Sequence, residues 1–230
     1  SSRMVIKLLK KKKNEEYKNL PQTLADIDML GYKHVSVVSI NIFPTDEHEV
    51  LKKIVDGFKH FSLANISCTN ALLTKTKETT AFLKDLNEQI SKDDTANLYV
   101  IHGTPRLDTV GIDSISYSAS FLELISENNF TCSLEGAFPY FEINDVIKSR
   151  IEKLGLKKVQ VVPLLLVSGN HYIEDMFEIK DDLSDKFESF IVPSLTKSEK
   201  FNLIELPMIQ NIIEKNNQNT FKMMGISHKE

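Results

Sequence analysis

The chain has 230 residues, 41% of them hydrophobic and 26% charged, enough for one large α/β domain or two small ones with real cores. A formal charge of -4 excludes a general nucleic-acid binder, and the widely spaced Cys68 and Cys132 exclude a disulfide framework or a zinc knuckle. No apolar run reaches the roughly 18–20 residues of a membrane span and no signal peptide is visible, so the expected setting is a reducing cytoplasm.

From Ser2 to about Lys13 the pattern is helical, with Met4, Ile6, Leu8 and Leu9 on one face and a closing lysine run that complements the helix dipole. Asn19-Leu20-Pro21 opens a second helix, which runs through Leu30 and is capped by Gly31. Val35–Phe43 reads as a buried strand, Glu47–Phe61 as an amphipathic helix, Ala64–Cys68 as a short strand and Thr79–Ile90 as a helix. Asn97–Ile101 is a strand that ends in His102-Gly103-Thr104. A helix over Ile115–Glu127 leads to the strand Phe130–Leu134, which ends in Glu135-Gly136. After a helix over Phe141–Leu154 comes Val159–Val167, a continuous apolar, β-branched run expected to be buried on both faces of a parallel sheet. It stops at the turn residues Ser168-Gly169-Asn170, followed by His171. A weak strand at Ser189–Val192 and a helix at Pro207–Asn216 complete the pattern. Strands alternating with helices predict βαβ units and parallel sheets.

The segment Gly31–Glu47 lies on Gly155–His171 without a gap, at an offset of 124 (155 − 31), with Gly, Lys and three valines in common. Two buried strands share some apolar positions by composition alone, but here the polar ends are kept as well. The fold class expected is therefore α/β, as two similar halves, each a parallel sheet flanked by helices, with a cleft between them. The halves are expected at residues 1–95 and 96–204, with a C-terminal helix at 205–217 packing back on the first. The offset carries His102 upstream of residue 1, so the first half is expected to lack its opening strand and helix. The sheet edge left bare would then favour a homo-oligomer.

His102, Glu135 and His171 each follow a strand of the second half. Parallel strands linked by right-handed crossovers bring such ends to one edge, where open α/β sheets bind ligands. Two imidazoles and a carboxylate suit a borderline divalent metal such as Co, Ni, Fe or Zn with room for a substrate ligand. The same trio can instead accept protons, and each histidine alone is equally read as a hydrogen-bonded structural residue. His34, His60 and His228 are read as solvated, and His48, next to Glu47, as either. A GxSxG elbow, a GxGxxG loop and a Walker A sequence are all missing, so a serine hydrolase and the usual nucleotide cradles are not expected.

Val100-Ile-His-Gly-Thr104, Leu134-Glu-Gly-Ala-Phe-Pro139 and Pro163-Leu-Leu-Leu-Val-Ser-Gly-Asn-His-Tyr-Ile-Glu-Asp-Met176 resemble motifs of the anaerobic sirohydrochlorin cobalt chelatases (the CbiK family). These are class II chelatases related in fold to ferrochelatase. Ser2-Arg-Met-Val-Ile-Lys7 resembles a further segment of that family, and the likeness covers nearly the whole chain, weakest after about Val192. The resemblance implies insertion of Co(II), the substrate metal, into sirohydrochlorin or precorrin-2 without a nucleotide, for cobalamin biosynthesis, with Fe, Ni or Zn as alternative metals. It implies His102, Glu135 and His171 as metal ligands, and His102, His171 and Glu47 as catalytic groups. Arg106, Arg3 and Asn41 become candidates for binding the substrate's carboxylates, with Lys7 beside them. No nucleic acid or membrane is implied as a partner.

The sequence departs from the family pattern at several places. The Ser-Phe-Gly-Thr-Ser strand is absent, Asn41 stands where the family has His, and Pro105-Arg106 replaces a second His. Thr196-Lys-Ser-Glu-Lys-Phe201 replaces a glycine-bearing loop. A rival reading follows: a tetrapyrrole- or metal-binding protein of the chelatase fold with impaired catalysis.

Overall fold

The computed structural model describes residues 3–13, 16–167, 169 and 174–226. They form two compact units: Ser1–Ser39, Glu47–Asn70 and Lys215–Glu230 in the first, Ile40–Asp46 and Ala71–Glu214 in the second. In chain order the elements are α1 (Arg3–Lys13), α2 (Leu20–Met29), β1 (His34–Val37), α3 (Asp46–Lys59), β2 (Asn65–Cys68), α4 (Thr76–Ile90) and β3 (Thr95–Gly103). Then come α5 (Ile112–Ile125), β4 (Asn129–Glu135), α6 (Tyr140–Lys153), β5 (Lys158–Leu164), α7 (Asp175–Leu183), β6 (Glu188–Ile191), a 3-10 turn (Leu203–Glu205) and α8 (Pro207–Met223). Both sheets are parallel, with order β1-β2 in the first unit and β4-β3-β5-β6 in the second. The fold is the α/β architecture expected, parallel sheets flanked by helices.

Why the second sheet is parallel is plain from its two central strands. Ala96, Leu98, Tyr99, Val100 and Ile101 of β3 and Val159, Val161, Val162 and Leu164 of β5 are all buried, so both faces need covering helices. Phe82, Leu83 and Leu86 of α4, Leu122 of α5, Ile147 and Ile151 of α6, and Met176 and Ile179 of α7 share this core. At its amino end a row of uncharged amides crosses the sheet. Asn97 faces Asn129 on one side and Gln160 on the other. Asn97 Nδ2 donates to Asn129 Oδ1 at 2.7 Å, and Gln160 Nε2 donates to Asn97 Oδ1 at 2.5 Å. Asn129 Nδ2 and the Tyr99 hydroxyl both donate to Asn87 Oδ1 at 2.8 Å. A one-residue slip would unpair these buried groups, so the row specifies the register that places the opposite, carboxyl end of each strand.

The repeat is visible in local geometry. α2 ends at Met29 with Leu30 as its cap and Gly31 at φ +74°; α6 ends at Lys153 with Leu154 as its cap and Gly155 at φ +73°. β1 and β5 begin at His34 and Lys158, again 124 positions apart (158 − 34). The strands diverge after that. Val35–Phe43 was expected as one strand, yet β1 stops at Val37. Ser39 is buried with its N–H on Thr69 Oγ1 at 2.8 Å, which ends the ladder. Beyond it, the Asn41 and Ile42 carbonyls accept from Leu72 and Leu73 in the second unit. Val35 therefore belongs to one core and Phe43 to the other. The apolar run is a strand followed by a segment of a different unit.

Some boundaries differ from expectation. β5 ends at Leu164 rather than Val167, and α8 continues past Asn216 to Met223. α7 was not anticipated, although Met176, Ile179 and Leu183 bury one face at helical spacing.

In the first unit Leu24, Val55, Ala64 and Ile66 pack with Val35, and His48 is buried on α3. Its Nδ1 lies 2.9 Å from the buried Ser39 Oγ. Burial, and then the Lys52 charge, lower the pKa of His48 below the usual imidazole value. The unfolded chain binds this proton more readily, so the stabilising contribution is present above about pH 6.5 and is lost as pH falls through the folded value. Between pH 7.5 and pH 5 the Tm of the native chain is expected to fall more steeply than that of His48→Gln. Equal slopes in thermal denaturation would refute this linkage.

Candidate metal and proton-transfer site

β3 and β4 are neighbours, and Gly103 is the register partner of Glu135. That pairing brings His102 and Glu135 together: His102 Nδ1 lies 3.6 Å from Glu135 Oε1, with the two side chains 44% and 45% exposed. The gap is too long for a hydrogen bond. Two donors at this separation can each lie about 2.1 Å from a single divalent ion, subtending roughly 118° there. Nδ1 also approaches the Gly103 carbonyl at 3.4 Å. With the proton on Nδ1 turned to that carbonyl, the imidazole can act as ligand or base, with the Glu135 carboxylate 3.6 Å away as the negative charge beside it. Both arrangements use the same two side chains, half open to solvent and on rigid strand ends.

The glycines after each functional residue explain why the ends fit so closely. Gly103 has φ +80° and Gly136 φ +84°. A Cβ on Gly103 would collide with the Glu135 carbonyl oxygen, and one on Gly136 with the Thr104 carbonyl oxygen. The two turns are locked back to back, each glycine giving room to the other strand's carbonyl. Gly103→Ala is expected to cost at least about 1–2 kcal/mol from the left-handed backbone alone. It should lower Tm and weaken Co(II) binding together. Gly57→Ala, in α3 with nothing within 4 Å of the new methyl, is the control and should lower neither. Unchanged Co(II) binding in Gly103→Ala would mean that this lock does not set the donor geometry.

His171, the third residue expected here, lies outside the described residues. Among the described residues no group of three or more His, Cys, Asp or Glu converges on one point. Glu47 is exposed in the first turn of α3, and Arg3 begins α1, its side chain lying outside the description; both belong to the first unit. Asn41 and Arg106 belong to the second. Arg106 is exposed, and its guanidinium forks onto Asp108, Nε to Oδ1 at 2.9 Å and Nη2 to Oδ2 at 2.7 Å. This fork leaves Arg106 less ready for a substrate carboxylate than its sequence position alone implies. The cysteines supply no thiolate: burial pushes the Cys68 thiol up to about 11 and raises that of Cys132 further. No helix among the described residues is long and apolar enough to cross a membrane.

Three solved structures share this architecture. SirB from Bacillus subtilis with Fe3+ has a TM-score of 0.64 at 15% identity, covering 91% of this chain and 81% of that one. The sirohydrochlorin chelatase SirB from Bacillus subtilis subspecies spizizenii in complex with cobalt has a TM-score of 0.60 at 14% identity, covering 90% and 78%. DR2241 from Deinococcus radiodurans, a multi-domain protein with structural similarity to chelatases, has a TM-score of 0.57 at 13% identity, covering 88% and 45%. At such identities the likeness is one of fold. The family pattern of the cobalt chelatases (CbiK) is matched over residues 1–223, a span that includes the His102 and Glu135 strand ends. The chain belongs to the cobalt chelatase (CbiK) family.

Proposed function

We propose that this chain inserts Co(II) into sirohydrochlorin without a nucleotide, in the cytoplasm, as a step of cobalamin biosynthesis. The observation that carries the reading is the juxtaposition of His102 and Glu135, 3.6 Å apart on adjacent strand ends of a cobalt-chelatase family member. Two pyrrole N–H protons must leave the macrocycle as a divalent ion enters, so donors and bases belong on one face of the ring. An imidazole can serve as ligand to the incoming ion and as acceptor of a departing proton. An ionised carboxylate beside it offsets the positive charge of the ion or of the imidazolium. On this reading His171 joins them, Glu47 adds a second carboxylate, and Arg106, Arg3 and Asn41 meet the substrate's acidic side groups. The roles of His171 and Glu47 rest on the match of motif positions, and those of Arg106, Arg3 and Asn41 on the partners that a substrate with many carboxylates needs.

The test is anaerobic incubation of the full chain with sirohydrochlorin and Co(II), followed by absorbance. Conversion to the metallated spectrum faster than the protein-free control is the result expected. Tight binding of sirohydrochlorin with no metallation above that control would overturn the enzyme and favour a tetrapyrrole-binding protein.

A further inference from the structure

We propose that Phe138 is a substrate-contact residue, presenting its ring to the apolar face of the macrocycle beside His102 and Glu135. The inference rests on the chelatase reading and names a contact that reading does not supply. Among the described residues, Phe138 is the one non-glycine with a positive φ, +60°. A side chain with a Cβ pays for that conformation, and the next residue is Pro139, which itself disfavours helical backbone at the preceding position. The strain is held in place by the surroundings. Ser133 N–H donates to the Phe138 carbonyl at 3.0 Å, Ser133 Oγ donates to the Ala137 carbonyl at 2.7 Å, and Ser133 bridges to Pro139.

Such a conformation normally serves packing, but here the ring is 71% exposed. A large apolar side chain is thus held in a costly backbone conformation and left in water, three residues after Glu135. Leu107 and Val110, in the loop that follows His102, are exposed too. That loop is tied down by Thr104 Oγ1 donating to Thr109 Oγ1 at 3.2 Å. Strain that persists without a packing return points to a role in binding. The ligand class matching a solvent-facing aromatic on a constrained backbone, three residues after Glu135, is a planar conjugated macrocycle, met by stacking or edge contact.

The experiment is an anaerobic titration of the full chain with metal-free sirohydrochlorin, with metallation kinetics and Tm measured alongside. Phe138→Asn removes the ring and keeps a residue that tolerates the left-handed backbone; Phe138→Gly does the same by another route. Both are expected to raise Kd and KM roughly two- to tenfold, with kcat little changed and Tm equal or higher. Phe138→Tyr should behave as the native chain. Native Kd and KM in both ring-less variants would overturn this inference alone. So would equal losses in Phe138→Tyr and Phe138→Asn, because packing of the loop would then be the cause. A native chain that binds no sirohydrochlorin would overturn this inference and the chelatase reading together.

Discussion

Replacing His102 by Ala is expected to lower the rate of Co(II) insertion into sirohydrochlorin by about 10²–10⁴-fold, the range for loss of a positioned proton acceptor. The residue is half exposed at the end of β3, and truncating it opens no core cavity, so Tm should stay close to the native value. Binding of metal-free sirohydrochlorin should survive, because the loss falls on the ion and the protons. Glu135→Gln keeps the size of the side chain and removes its charge. A smaller fall, about 10–100-fold, is expected if the carboxylate mainly orients and charges the imidazole. A fall as deep as that of His102→Ala would instead make Glu135 a ligand in its own right. Stopped-flow absorbance over the macrocycle bands reads all three proteins. Metallation at the native rate by His102→Ala would remove this residue from the chemistry.

Asp182→Ala is expected to be the most destabilising single change at a polar residue outside the site, at about 3 kcal/mol and roughly 6–12 °C in Tm. Asp182, on α7, accepts from Lys148 Nζ at 2.8 Å, the Tyr140 hydroxyl at 2.7 Å and Asn144 Nδ2 at 3.2 Å, all on α6. Burial alone would raise the Asp182 pKa, but these three donors outweigh it and hold the carboxyl below the ordinary value. Its stabilising contribution is therefore present above about pH 3.9 and is lost as pH falls through the folded value. Lys148 is buried, so removing Asp182 strands an ammonium in the core. Lys148→Met, by contrast, leaves the carboxylate with Tyr140 and Asn144 and replaces the lysine stem with an apolar one, so it should cost less. Circular dichroism melts at pH 7 give both values. The reverse order, with Lys148→Met the more damaging, would show that the charge pair is not what joins α7 to α6.

The amino-acid sequence by itself determined the class of fold and the identity of the central strands. Buried parallel strands must be apolar on both faces, and the runs around Val100 and Val161 admit no other use. It also marked the helix ends, because Gly31 and Gly155 are chemical stop signals that act locally. His102 and Glu135 were legible as candidates for the same reason: each closes a strand and is followed by glycine.

Other features depend on distant parts of the chain. Val35–Phe43 is a single apolar run, and no local rule says that Val35 and Phe43 enter different cores; which strand edge accepts each stretch decided that. α7 carried the helical spacing of Met176, Ile179 and Leu183, but their burial depends on β5 and β6, the strands on which the helix packs. The 3.6 Å between His102 and Glu135 depends on the Gly103–Glu135 register and on two glycines that each make room for the opposite strand's carbonyl. The left-handed Phe138, by contrast, is a local product, with Ser133 of the preceding strand β4 holding the loop through the Ala137 and Phe138 carbonyls. Composition and periodicity report what a residue prefers, whereas register and close approach are settled only when separate segments share the same few ångströms.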